Sequence, residues 1–233
     1  MTFYKLRHSV DAAEIGVYPQ ARIDHSSYPG FVNIEVPLEG KIEGELSPPT
    51  LRLEKQAKMT DLLSITPLSY EYLALSPRAF DLIRRFETDE FQACSAHITN
   101  GKANFQYHLV HFPSTRNRDY VDWGKSVFGH TTYMQRELIT EMKFQGYEEF
   151  IDFKRSLYKK EEDIILRKLA LNDGSEMKDI FRLLFISGGV YVSDNLKNAL
   201  QAEGITGCSF APTSELCERT TKENYPHMFE AKA

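Results

Sequence analysis

The chain has little cysteine, one tryptophan and no long apolar run. Its three cysteines, Cys94, Cys208 and Cys217, are odd in number and lack the paired Cys-x-x-Cys spacing of zinc sites, so neither a disulfide framework nor a structural metal is expected to staple the fold. Cys94 and Cys208 fall beside apolar neighbours in expected strands and read as buried, reduced thiols. No stretch approaches the about eighteen apolar residues that a membrane span requires, and the amino terminus from Met1 to His8 carries positive charge without a following apolar run of signal-peptide length. The expectation is a cytoplasmic protein with no membrane attachment. Basic charge is short as well: 28 Lys and Arg stand against 33 Asp and Glu, a net charge of −5. That balance argues against general nucleic-acid binding and is compatible with a basic partner.

Signatures of catalysis are missing too. There is no Gly-x-Ser-x-Gly elbow and no His-Glu-x-x-His. The pair Gly188-Gly189 precedes an expected strand rather than a helix, so it is not a phosphate-cradling loop. His108 and His111 lie three apart on an expected strand, point to opposite faces and cannot share a metal by themselves. Ser76 and Ser193 each stand where a helix start needs a short acceptor and read as caps, not nucleophiles. No catalytic residue, metal or cofactor is assigned.

What is present suits a folded domain of some size. Over 233 residues, 42% are hydrophobic and 26% charged, with 15 Phe and 12 Tyr; a chain of this length buries about 70% of its unfolded surface. The clearest stretch runs from Phe185 to Pro212. Val190, Tyr191 and Val192 suit a half-buried strand. Ser193 then caps a helix with Asp194 near its positive end, and Leu196, Ala199 and Leu200 form an apolar stripe. Gly204 closes the helix in the left-handed conformation, and Gly207 opens a last strand to Phe210.

Elsewhere the spacing predicts a first strand over residues 2–7, then short strands and ordered loops from Val10 to Pro49, including Phe31 to Val36. Leu51 to Leu63 suggests a strand and a turn, and Tyr70 to Leu75 a better strand. Ser76-Pro77 caps a helix through Ala79, Phe80, Leu82, Ile83 and Phe86 to about Glu87. Phe91 to Ile98 and Phe105 to Phe112 form a hairpin about Asn100-Gly101, a type I′ signal. From Met134 the pattern reads as helical. One stripe of Leu138, Ile139 and Met142 ends near Gly146, a second helix runs from Tyr147 to Leu157, and a strand follows from Ile164 to Leu171. The middle and C-terminal helix starts share a plan. Aligning Leu75-Ser76 with Val192-Ser193 puts Ala79 on Leu196, Leu82 on Ala199 and Ile83 on Leu200. A capping Ser before an amphipathic helix is common, so this reads as similar physics at two helix starts, with a true duplication as the rival reading.

The run Val-Tyr-Val-Ser-x-x-Leu-Lys-x-Ala-Leu-x-x-x-Gly-Ile-Thr-Gly-x-x-Phe, with Phe181-Arg182-Leu183 upstream, resembles the C-terminal signature of a bacterial immunity-protein family, the eleventh immunity class of polymorphic toxin systems, formerly a domain of unknown function. Leu75 to Ile83, Tyr107 to Val110, and Val121-Asp122-Trp123-x-Lys125-Ser126-x-Phe128 resemble its middle in the same order. The resemblance covers roughly residues 70 to 212. It implies a non-enzymatic antidote that binds and blocks a toxin domain made by the same cell or a sister cell. The rival readings are a small-molecule hydrolase of unknown type and an effector-loading adaptor. The matched residues Ser76, Asp122, Ser126, Ser193, Gly204 and Gly207 are expected to hold the fold rather than touch the toxin.

The expected fold is α+β, mainly antiparallel sheet with packed helices. Residues 1–60 form a strand-and-loop region, 61–212 the immunity-family domain and 213–233 an exposed tail. Two acidic clusters, Glu148, Glu149 and Asp152, and Glu161, Glu162 and Asp163, read either as solvated faces or as the electrostatic half of a toxin-binding surface. Trp123 reads either as core packed with Phe128, in a turn tied by Asp122, or as an exposed aromatic anchor. The oligomeric state is not legible in the residues.

Overall fold

The computed structural model describes residues 1–24, 41–42, 50–66, 72–113, 117–172, 177–183 and 189–225. The described residues form a mixed α+β fold that is mainly sheet. In chain order the elements are β1 (Phe3–His8), α1 (Ala12–Ile15), β2 (Ala21–Ile23), β3 (Leu51–Leu53), β4 (Leu62–Leu63), β5 (Ile65–Thr66), β6 (Leu73–Leu75) and α2 (Pro77–Ile83). Then come β7 (Gln92–Thr99), β8 (Asn104–His111), α3 (Asn117–Tyr120), β9 (Val127–Thr132), β10 (Leu138–Met142), α4 (Tyr147–Leu157) and β11 (Glu162–Lys168). The chain finishes with β12 (Ile180–Leu183), β13 (Gly189–Ser193), α5 (Asp194–Ala202), β14 (Cys208–Pro212) and α6 (Thr221–Asn224).

These elements gather into two compact units. The larger holds residues 1–113, 178–183 and 189–211, and contains a seven-stranded sheet ordered β4-β6-β8-β7-β3-β2-β5 and a four-stranded sheet ordered β12-β13-β1-β14. Alternation along the strands divides its apolar residues. Leu62, Leu73, Leu75 and Val110 join α2, α5, Ile180, Val190 and Val192 in one core. Their strand neighbours Leu63, Ala74 and Leu109 turn to the opposite face, with Ile23, Leu51 and Ile98. Period-two side-chain direction is what lets one strand supply both cores. The strands of the first sixty residues complete these sheets: β1 pairs with β13, β2 with β5 and β3 with β7. Short strands such as these satisfy their backbone by joining a larger sheet.

The smaller unit holds residues 117–172, 177 and 212–225, and contains a three-stranded sheet ordered β10-β9-β11. Its core is aromatic: the Phe128 ring lies 5.2 Å from Phe144 and 5.2 Å from Phe150.

Several expectations need correcting. The stripe of Leu138, Ile139 and Met142 is strand β10, paired antiparallel with β9 across a bulge. Two apolar residues side by side at 138 and 139 mimic a helical stripe, but β-branched Ile139 and Thr140 accept the strand once β9 supplies a partner. Gly129 on β9 permits the close approach, since a Cβ there would lie 2.8 Å from Leu138 Cδ1. The β7–β8 hairpin forms, yet its turn centres on Gly101 and Lys102: Asn100 N donates to Ala103 O at 3.2 Å, and only Gly101 takes positive φ. Asn100 instead uses its side-chain oxygen to accept from Lys102 N and Ala103 N, an Asx arrangement that type I′ reasoning overlooks. The expected segment from Phe31 to Val36 lies outside the described residues.

The tail is not simply exposed up to residue 225. Glu218 N donates to Leu166 O at 2.7 Å, Glu218 accepts from Leu166 N at 2.9 Å, and Arg167 forms a bidentate pair with Glu223 at 2.8 Å on both oxygens. Leu216 and Thr220 are buried. The tail thus meets β11, whose backbone would otherwise face water.

Candidate functional site

The residues of the C-terminal and middle signatures hold backbone in place. Ser193 accepts from Leu196 N at 3.2 Å, capping α5, and donates to the Asp179 carboxylate. Ser76 does the same for α2, accepting from Ala79 N at 3.2 Å and donating to Asp61 at 2.7 Å. Gly204 has φ of +64°, which closes α5 as its position in the sequence demands. Gly207 has φ of +80°, and a Cβ there would lie 2.1 Å from the Leu62 carbonyl oxygen, so this position excludes any side chain.

Asp61 is the densest polar node and was not singled out by any motif. Only 9% exposed, its carboxylate accepts from Ser76 Oγ, from Arg78 Nε and Nη2 at 3.3 and 2.6 Å, and from Thr206 N and Oγ1, both at 3.0 Å. Burial works to raise its pKa, but the hydrogen bonds from Arg78, Ser76 and Thr206 together outweigh it and hold the carboxyl at about 2. Arg78 also donates to the carbonyls of Glu203 and Gly204 beyond the end of α5. Beside this node lies an open cleft of about 490 Å³, lined by Met59, Ser76, Phe105, Tyr107 and Thr206 among others. The Tyr107 hydroxyl, whose pKa burial pushes up, donates to Thr60 O. With every Asp61 oxygen already accepting from a donor, the node is built to brace the chain rather than to move a proton.

In the smaller unit, Asp122 and Ser126 tie the segment 121–128 to its neighbours. Asp122 accepts from Lys125 N at 3.1 Å and pairs with Lys125 Nζ at 2.8 Å, while the Ser126 hydroxyl and the Asp122 backbone both bond to residue 170. Trp123 is 7% exposed. It stacks on Phe128 at 5.9 Å, meets Phe150 at 5.4 Å, and donates from Nε1 to Arg118 O at 3.3 Å. Of its two readings, the packed one describes the structure; an aromatic ring needed to close this core is not available as an accessible anchor.

The first acidic cluster lies in the amino-terminal half of α4, and the second follows the helix, where the chain enters β11. The eleven residues of α4 span about 16 Å at the usual rise. Glu148 and Glu149 occupy the first turn, where negative charge is favoured by the helix dipole, Asp152 follows in mid-helix, and all three are exposed. Glu149 accepts from Gln145 N at 2.6 Å, Glu148 lies 3.8 Å from Arg118, and Asp152 lies 3.4 Å from Arg155. Past the other end, Glu161 is exposed at positive φ, whereas Glu162 and Asp163 are half-buried in β11. Glu162 contacts His130 Nε2 at 2.8 Å, and Asp163 accepts from Ile164 N at 2.8 Å.

Exposed apolar side chains gather in the same unit, a feature that periodicity did not flag. Tyr133, Met134, Leu138, Ile139 and Tyr158 are exposed, Tyr158 at 93%. An open cleft of about 490 Å³ lies between the turn after β9 and the turn before β11, lined by Tyr133, Arg136, Glu137, Lys160 and Glu161. Among the described residues no group of His, Cys, Asp and Glu is arranged to hold a metal ion, and no helix is long and apolar enough to cross a membrane. Comparison with curated proteins finds no match. The immunity protein family Imm11 matches residues 2–215, extending the likeness through the first sixty residues. A match of that length places the chain in the immunity protein family Imm11.

Proposed function

We propose that this protein neutralises a cognate bacterial toxin domain by binding it tightly, without covalent chemistry or a cofactor, in the cytoplasm of the producing or a sister cell. The observation that carries the reading is the family match over residues 2–215. The physics is occlusion: a contact of about 1,200–2,000 Å² over the toxin's active site or substrate path, with a few anchors dominating the energy.

The smaller unit is the surface to test first. Glu148, Glu149, Asp152 and Glu161 are exposed there, and Tyr133 and Tyr158 present aromatic area of the kind that anchors interfaces. Glu162 and Asp163 contribute less long-range field, being half-buried with local partners, and buried Trp123 supports the surface from beneath. The acidic residues would speed encounter with a basic toxin over the about 8 Å reach of physiological screening.

Co-expression with the cognate toxin domain tests the function. Growth rescue together with a co-purifying complex is expected; a complex without rescue would identify an effector-loading adaptor, and rescue without a complex would point to hydrolysis of a toxic product. The surface is tested by combining Glu148→Gln, Glu149→Gln and Asp152→Asn. The association rate should fall several-fold at low salt and lose much of its salt dependence, and an unchanged rate would move the contact off this face.

A further inference from the structure

We infer that the larger unit is built from two copies of one element, Asp61 to Glu87 with β8 and Asp179 to Thr206 with β1, which lock each other reciprocally through Asp61 and Asp179. In each copy a central strand runs into a helix and is flanked by antiparallel partners on both sides: β4-β6-β8 with α2, and β12-β13-β1 with α5. The registers coincide. Leu62, one past Asp61, pairs with Leu75, one before Ser76; Ile180, one past Asp179, pairs with Val192, one before Ser193. Ser76 N donates to Asp61 O, and Ser193 N to Asp179 O, at 2.8 Å in both cases. Each Ser hydroxyl then donates to the side chain of that same Asp, across 15 and 14 positions.

The likeness extends to side chains that capping does not constrain. Four residues after each cap, a side chain covers a ring on the third strand: Phe80 stacks on His108 at 4.2 Å, and Lys197 lies 4.3 Å over Tyr4. Those rings sit at equivalent registers, His108 opposite Leu75 and Tyr4 opposite Val192. One copy takes its third strand from after its helix and the other from the start of the chain, which is why an alignment of linear sequence sees only the helix starts.

The exchange between copies distinguishes a duplicated element from two similar caps. Asp61 accepts from the backbone N of Thr206, in the segment after α5; Asp179 accepts at 3.2 Å from the backbone N of Glu87, in the segment after α2. Leu62 N donates to Thr206 O at 3.0 Å, and Ile180 N to Glu87 O at 3.3 Å. Each Asp therefore holds its own helix start and the other copy's helix exit, the i-to-j and j-to-i pattern that a two-fold axis between α2 and α5 generates. The helices meet in one core through Ala79, Ile83, Leu196 and Leu200. The first copy carries a reinforcement, the Arg78 guanidinium on Asp61, two residues after its cap; the corresponding position after the second cap is Asn195.

Residue-resolved amide hydrogen exchange on the full chain tests the lock. Asp61→Asn should speed exchange at least about tenfold both at Ala79, in its own copy, and at Thr206, in the other, because each amide there loses a charged acceptor or the hydroxyl it orients. Asp179→Asn should mirror this at Leu196 and Glu87. If Asp61→Asn does not fold, Thr206→Val replaces it and must loosen Ala79 across the pair. Acceleration confined to the copy that carries the substitution would overturn the inference.

Discussion

Replacing Asp61 by Asn removes a carboxylate that accepts five hydrogen bonds, two from Arg78, one from Ser76 and two from Thr206. An ordinary Asp titrates near about 3.9, and this one is held at about 2. Because the folded value lies below the unfolded one, the group adds stability at pH above about 4 and loses it as pH falls toward 2; a difference of a little under two pH units, at about 1.4 kcal/mol each, gives about 2.5 kcal/mol at neutral pH. The Arg78 side chain is 57% exposed and can return to water, so the variant does not incur the larger cost of a stranded buried cation. The measurement is urea unfolding of both proteins at several pH values between 7 and 3, followed by far-UV circular dichroism, since the single Trp123 lies in the smaller unit and its fluorescence reports there. The stability gap should be about 2.5 kcal/mol near pH 7 and shrink steadily below pH 4. Other carboxylates titrate in both proteins and cancel in the difference. A gap that stays constant down to pH 3 would refute the argument that ionised Asp61 braces the larger unit.

Gly204→Ala and Gly207→Ala should separate backbone strain from steric exclusion: the first adds a Cβ with nothing within 4 Å and should cost about 1 kcal/mol in thermal or urea unfolding. The second drives a Cβ to 2.1 Å from the Leu62 oxygen and should abolish soluble expression; equal effects would contradict this geometry. Ser193→Ala removes both a cap and a donor to Asp179 and should cost about 2 kcal/mol, with an unchanged unfolding midpoint and lost toxin binding marking the segment as interface instead. Glu223→Gln breaks the pair with Arg167, which outweighs partial burial and holds the Glu223 carboxyl at about 2. Limited proteolysis should then cut within residues 216–225 faster while the larger unit keeps its midpoint. Wild type should show the same fraying only as pH falls below about 4, because the depressed carboxyl favours the docked tail above that range.

What the residues alone determined was local. The caps at Ser76 and Ser193, the left-handed closure at Gly204, the strand of alternating Phe105, Tyr107, Leu109 and His111, and helix α4 all follow from short-range chemistry, in which one side chain satisfies or shapes its own neighbourhood. The α+β class follows from their sum, and the family from the motif those same residues spell. Tertiary structure decided the rest. Leu138 to Met142 is a strand because β9 lies beside it, and Trp123 is core because Phe128 and Phe150 close over it. The six acidic residues divide between the amino-terminal half of α4 and the entry to β11, where two of them are half-buried. Asp61 carries no local signal at all: its partners Arg78 and Thr206 lie 17 and 145 positions away. A carboxylate becomes a brace only when folding brings donors to it and removes the water that would otherwise compete, and that is a property of the assembled chain rather than of any window along it.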